Sequence, residues 1–105
     1  MGFLDFLKGP DLMAGLSECQ GTEGAVLLDV RTRQEYRSGH IPGSVNIPLD
    51  EIEGAKGRYV ASTPLFVYCL RGTRSRRAVS LLKKMGFERA KSIGGITAYT
   101  GKMER

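Results

Sequence analysis

Two runs in the chain are apolar without polar alternation: Ala25-Val26-Leu27-Leu28-Asp29-Val30 and Leu65-Phe66-Val67-Tyr68-Cys69. A strand wet on one face alternates apolar and polar side chains, so runs like these predict strands covered on both faces, as in a parallel sheet. Ser44-Val45-Asn46-Ile47-Pro48 and Ala90 to Ile93 read as two further short strands. The segments between them carry a helical period. Ala78, Leu81, Leu82 and Met85 fall at i, i+3, i+4 and i+7, one buried stripe of a helix that opens at Arg71-Gly72-Thr73. Gly86 ends it at C′, where Phe87 can pack back. Asp11, after the break Gly9-Pro10, is placed to cap a helix through Leu12, Met13, Leu16 and Cys19, which Gly21-Thr22-Glu23-Gly24 stops. Thr32 and Glu35 have capping-box spacing at the head of two polar turns ending near Ser38.

The remaining segments are short. Phe3 to Leu7 can form an amphipathic turn, Gly39 to Gly43 and Gly94-Gly95 read as turns, Gly54 to Ser62 as a loop or short helix, and Ile96 to Tyr99 as a short helical piece. Strands alternating with helices predict an α/β domain with a parallel sheet. No linker composition interrupts the pattern, so residues 1–105 are read as one domain, with 1–10 as an N-terminal segment.

Composition narrows the function classes. The chain has 105 residues, 41% hydrophobic and 26% charged, which suits an ordinary globular domain. No run approaches the ~18 apolar residues of a membrane span. The N-terminus lacks the basic start of a secretory signal, and Phe6 stands where a myristoylation site needs Ser or Thr. Two cysteines are too few for a disulfide framework and are expected to be reduced thiols in the cytoplasm. With one histidine besides, neither a zinc site nor another cofactor is expected. Charge is uneven: residues 1–52 hold four basic and eight acidic side chains, a net −4, and residues 53–105 hold twelve and three, a net +9. A positive half faces something negative, whether nucleic acid, a membrane surface or a small anion.

The chemistry concentrates at Cys69-Leu70-Arg71-Gly72-Thr73-Arg74-Ser75. A cysteine at a strand end, taken alone, is read as a packed thiol. Here a glycine loop and a helix start follow it, and the carboxyl end of a parallel strand is where such sheets bind ligands. Loop N–H groups, the helix N-terminus and nearby Arg71, Arg74, Arg76 and Arg77 all favour a thiolate and an anion beside it. Cys69 is therefore the expected nucleophile, with Leu70, Arg71, Gly72, Thr73, Arg74 and Ser75 as the substrate cradle. Asp29 and Arg31 are expected to support the site structurally, with Arg31 and Glu35 an i, i+4 pair. His40, in a turn, and Cys19, on a helix, are read as structural. Ile96 to Met103 lacks the first glycine and the Ser or Thr of a phosphate-binding loop.

These motifs resemble the rhodanese-like sulfurtransferases. Cys69-Leu70-Arg71-Gly72-Thr73-Arg74-Ser75 is similar to the family's C-x-x-G-x-R-S loop. Leu28-Asp29-Val30-Arg31, Glu35-Tyr36, Gly39-His40-Ile41-Pro42-Gly43-Ser44 and Asn46-Ile47-Pro48 follow its upstream block, and Gly94-Gly95-Ile96 with Tyr99 its closing motif. The resemblance implies a rhodanese-like fold, a twisted parallel sheet of about five strands with helices on both faces. No run before Asp11 reads as the first of those strands. It also implies sulfur transfer from an anionic donor such as thiosulfate to a thiol or dithiol acceptor through a persulfide on Cys69. Arg71, near the loop start, points to thiosulfate. Three rivals are weighed against it. A cysteine phosphatase needs C-x5-R, but position 75 is Ser75. A nucleic-acid binder would interleave aromatics with the arginines, and none lies there. A non-catalytic module of this family commonly lacks the cysteine or has a broken loop, and both are intact here.

Overall fold

The computed structural model describes residues 10–105, so the turn expected at Phe3 to Leu7 lies outside the described residues. Helix α1 (Leu12–Gln20), strand β1 (Val26–Asp29), helix α2 (Arg33–Ser38), strand β2 (Val45–Asn46), strand β3 (Leu65–Cys69), helix α3 (Thr73–Lys84) and strand β4 (Ala90–Gly95) follow in chain order. Two 3₁₀ segments, Leu49–Gly57 and Ile96–Ala98, complete the set. The strands form one parallel sheet in the order β2-β1-β3-β4. Among the described residues the sheet has four strands rather than about five. The α/β class expected from the residue pattern holds, and the segment before Pro10, where no run read as a first strand, lies outside the described residues. No helix of the described residues is long and apolar enough to cross a membrane.

The apolar runs are explained by two-sided burial. In β3 all five residues are buried, with Leu65, Val67 and Cys69 in one core cluster and Phe66 and Tyr68 in the other. The first cluster packs under α3 and the Leu49–Gly57 segment through Ala78, Leu82, Ile52 and Ala55. The second packs under α1 through Leu12 and Leu16, with Ile93 from β4. Side chains alternate along a strand, so the parity of β3 puts Cys69 on the α3 face before any loop geometry is considered.

Local chemistry sets the element ends. Asp11 caps α1, its carboxylate accepting from Ala14 N–H at 3.2 Å. The Thr32–Glu35 box closes the head of α2 in both directions. At the end of α3, Gly86 takes φ +107° and Phe87 N–H donates to the Leu82 carbonyl at 3.0 Å, which folds the buried Phe87 back onto the helix. Two expectations change. The segment after Pro48 is 3₁₀ from Leu49, because Ile52 and Ala55, three residues apart, fall on one face of a three-residue turn and are both buried. Gly94 and Gly95 extend β4 rather than making a turn, after a register shift opposite Val67 and Tyr68. Between β1 and β2, Asn46 Nδ2 donates to the carbonyls of Asp29 and Arg31 at 2.9 and 3.0 Å, so a two-residue strand is held firmly.

Helix α1 approaches the sheet most closely at Gly15, where a Cβ would stand 2.6 Å from Cβ and Cγ2 of Ile93. Gly15→Ala gains about 1 kcal/mol of helix propensity. It also forces a backbone-held Ile93 atom aside, and overpacking typically costs about 1–3 kcal/mol. A net loss is expected, read as a lower urea midpoint. Gly54→Ala, whose added Cβ meets nothing within 4 Å, is the matched control and should be close to neutral.

Candidate active site

The chain leaves β3 at Cys69, passes over the end of β4, and turns into α3. Gly95 makes that crossing possible: a Cβ there would stand 2.3 Å from the Leu70 carbonyl oxygen and 2.5 Å from Arg71 Cα. The same carbonyl accepts from Thr97 N–H at 3.2 Å, which pins the loop from below. Gly72 then takes φ +107°, the left-handed region that glycine enters without strain, and occupies the N-cap position of α3.

A glycine N-cap offers no side-chain oxygen to the first N–H groups of the helix. The sulfur of Cys69 takes that place. Cys69 Sγ accepts from Gly72 N–H at 3.0 Å and from Ser75 N–H, at the third helical position, at 3.3 Å. Burial works against the charged thiolate, yet the N–H and hydroxyl of Ser75 with the N–H groups of Gly72 and Arg71 outweigh it, and the thiol is shifted below its ordinary value. The Ser75 hydroxyl is fully buried, 2.8 Å from Ser92 Oγ and 3.0 Å from the Gly72 carbonyl.

Cys69, Leu70, Arg71, Thr73 and Arg74 line a cavity of about 170 Å³, so a side chain only 1% exposed still opens onto it. The predicted cradle is thus largely brought together, with Gly72 and Ser75 at the sulfur rather than on the wall. Arg71 is exposed at the rim. Arg74 is committed elsewhere: its two terminal nitrogens hold Glu35 Oε1 and Oε2 at 2.7 and 3.0 Å.

The expected Arg31–Glu35 pair is not formed by hydrogen bonds. Arg31 turns back to Asp29, with Nη2 at 2.8 Å from Oδ2, and donates to the Gly39 carbonyl at 2.7 Å. Both side chains are buried, and a nearer carboxylate there outcompetes one that is also capping α2. The pair braces the turn after α2. Tyr68 braces it too, its hydroxyl meeting Ile41 N–H and Ser44 Oγ, each at 3.1 Å.

The other candidates lie apart from the cavity. His40 stacks on Tyr36 with ring centroids 3.7 Å apart, places Nδ1 2.8 Å from the Tyr36 carbonyl, and turns Nε2 toward Glu104. Cys19 lines a larger cavity of about 600 Å³ beside α1. Size does not locate the chemistry, because burial and then Glu18 push that thiol up, away from thiolate. Ser92, the Gly95 crossing and the Glu35–Arg74 pair were not singled out by the sequence. Gly95 had a signal in the closing motif, but the other two had none, since their partners lie 17 and 39 residues away.

Known proteins match over this same stretch. The family model for the rhodanese-like domain matches residues 12–102. A putative sulfur carrier protein of Bacillus subtilis is 37% identical over 83 residues, 78% of this chain, and the chain spans only 45% of that protein. The thiosulfate sulfurtransferase GlpE of Pseudomonas savastanoi is 37% identical, over 70% of this chain and 69% of its own length. The crystal structure of the Alr3790 protein from Anabaena superposes with a TM-score of 0.79 at 31% identity, covering 90% of this chain and 79% of that one.

The Glu35–Arg74 pair sets an acid limit. The Arg74 guanidinium, with help from Thr32, lowers the Glu35 carboxyl from the ordinary 4.5 to about 2. A group lowered on folding contributes stability that is complete above its unfolded value and is lost as pH falls toward its folded one. Urea titrations should therefore show the native protein more stable than Glu35→Gln at neutral pH. The gap should close between about pH 4.5 and about pH 2. A gap that stays constant to pH 2 would mean that the Glu35 charge adds nothing.

Proposed function

The chain belongs to the rhodanese-like sulfurtransferase family, and from that premise we propose that it moves a sulfane sulfur from thiosulfate to a thiol or dithiol acceptor through a persulfide on Cys69. One observation carries the reading: Cys69 Sγ sits at the N-terminus of α3 as acceptor of two backbone N–H groups. A sulfur placed there is a favoured thiolate, and thiolate is the nucleophile.

In the first half-reaction the Cys69 thiolate attacks the outer sulfur of thiosulfate. The new Sγ–S bond forms as the bond to the sulfonate sulfur breaks, and sulfite leaves with the electron pair. The negative charge of the persulfide stays among the N–H groups from Leu70 to Ser75, donors already in place before the reaction. In the second half-reaction an acceptor thiolate attacks the terminal sulfur and Cys69 returns as thiolate. Arg71 at the rim offers a guanidinium to the sulfonate of the donor. The basic stretch from Arg71 to Lys84 serves small anions on this reading rather than nucleic acid. The chemistry needs a reduced thiol, which fits a cytoplasmic setting.

Incubation with thiosulfate should add one sulfur atom to the intact mass, on Cys69. Cys69→Ser should abolish thiocyanate formation from thiosulfate and cyanide, while Cys19→Ser leaves it nearly intact. Equal losses in both variants would replace this scheme with a two-cysteine one. Arg71→Ala should raise KM for thiosulfate by about tenfold, equivalent to ~1.4 kcal/mol of lost contact. An unchanged KM would leave the donor to the backbone N–H groups alone.

A further inference from the structure

The geometry points to Glu35 as the residue that sets how strongly the Cys69 site attracts anions, because it neutralises the one arginine that lines the cavity and is tied down at its wall. Arg74 and Cys69 share the cavity of about 170 Å³. The guanidinium of Arg74 meets the negative charge of Glu35 first, and then that of Cys69 and Asp29. Its two terminal nitrogens are both used by Glu35, at 2.7 and 3.0 Å.

The charged groups packed around the sulfur show why one carboxylate matters. At the end of β1, Asp29 and Arg31 form a buried pair that sums to zero. From α2, Glu35 cancels Arg74 of α3. Arg71 stands at the rim, with no ion-pair partner among the described residues. Arg76, further along α3, also brings a guanidinium nitrogen close to Gly72. Of the two arginines that line the cavity itself, an anion meets Arg71 uncancelled and Arg74 cancelled. Removing the Glu35 charge while leaving the fold intact gives it the second.

Glutamine at position 35 can do that. Its carbonyl oxygen can keep the two roles of Glu35 Oε1, accepting from Thr32 N–H at 2.9 Å and from Arg74 at 2.7 Å, and Gln serves a capping box as Glu does. Its amide nitrogen then faces the second Arg74 nitrogen, donor to donor, and frees that end toward the cavity.

The thiosulfate arm of the test rests on the proposed function, but the decisive arm does not. In a Cys19→Ser background, Cys69 is alkylated with iodoacetate and with iodoacetamide, and the ratio of the two rate constants reads the local potential independently of any sulfur chemistry. Glu35→Gln should raise that ratio by about threefold. It should also lower the apparent pH midpoint of iodoacetamide alkylation and lower KM for thiosulfate by a similar factor. Adding Arg74→Met should erase the gain in the ratio, because the freed charge is then gone. A ratio unchanged or lowered in Glu35→Gln, with far-ultraviolet circular dichroism intact, would overturn the inference and leave Glu35 as a tie between α2 and α3. Should the native protein form no persulfide with thiosulfate, the functional reading fails, while the alkylation ratio still decides the role of Glu35.

Discussion

Helix α3 starts at a residue that cannot cap it, and the rest of the site follows from how that deficit is met. Gly72 has no side chain, so the N–H of Ser75 must find an acceptor elsewhere or remain buried without one. The acceptor is the sulfur at the end of the neighbouring strand. A thiol is a weak acceptor and a thiolate a strong one, so the backbone rewards deprotonation. Gly72 is required at that place by its φ of +107°, and Gly95 is required beneath it so that the loop can pass. The two glycines are steric conditions for bringing a strand-end sulfur to a helix start.

Around that contact the charges are arranged in closed pairs. Asp29 with Arg31 locks the end of β1 to the Gly39 carbonyl, and Glu35 with Arg74 ties α2 to the first turn of α3. Tyr68, next to Cys69 but on the opposite face of β3, reaches through its hydroxyl to the 41–44 turn. Neighbouring residues of one strand thus serve two layers of the molecule: one holds the turns in place and the other opens onto the small cavity.

Much of this could be read from the chain. The unbroken runs marked the two central strands because both their faces are covered, and the Ala78–Leu82 stripe marked the helix above them. The Thr32–Glu35 box was legible because both partners lie within one turn. What could not be read was anything settled between distant elements. Spacing gives Glu35 partners close in sequence, Thr32 and Arg31, so nothing announced a bond to Arg74, 39 residues on. Arg31 pairs with Glu35 on spacing alone, and the fold instead turns it back to Asp29 at the end of β1. Gly94-Gly95 has the composition of a turn, yet the close passage of Leu70 and Arg71 makes it a strand end instead.

The cap supplied by Cys69 has one more consequence. An ordinary helix cap is chemically inert, whereas this one is a sulfur whose strength as an acceptor changes with its protonation. The Gly72 and Ser75 amides therefore face a weak acceptor in the thiol and a strong one in the thiolate, and on the proposed reaction a third in the persulfide. Their hydrogen-exchange protection is thereby tied to the state of one side chain, so the first turn of α3 carries a backbone readout of what the sulfur holds.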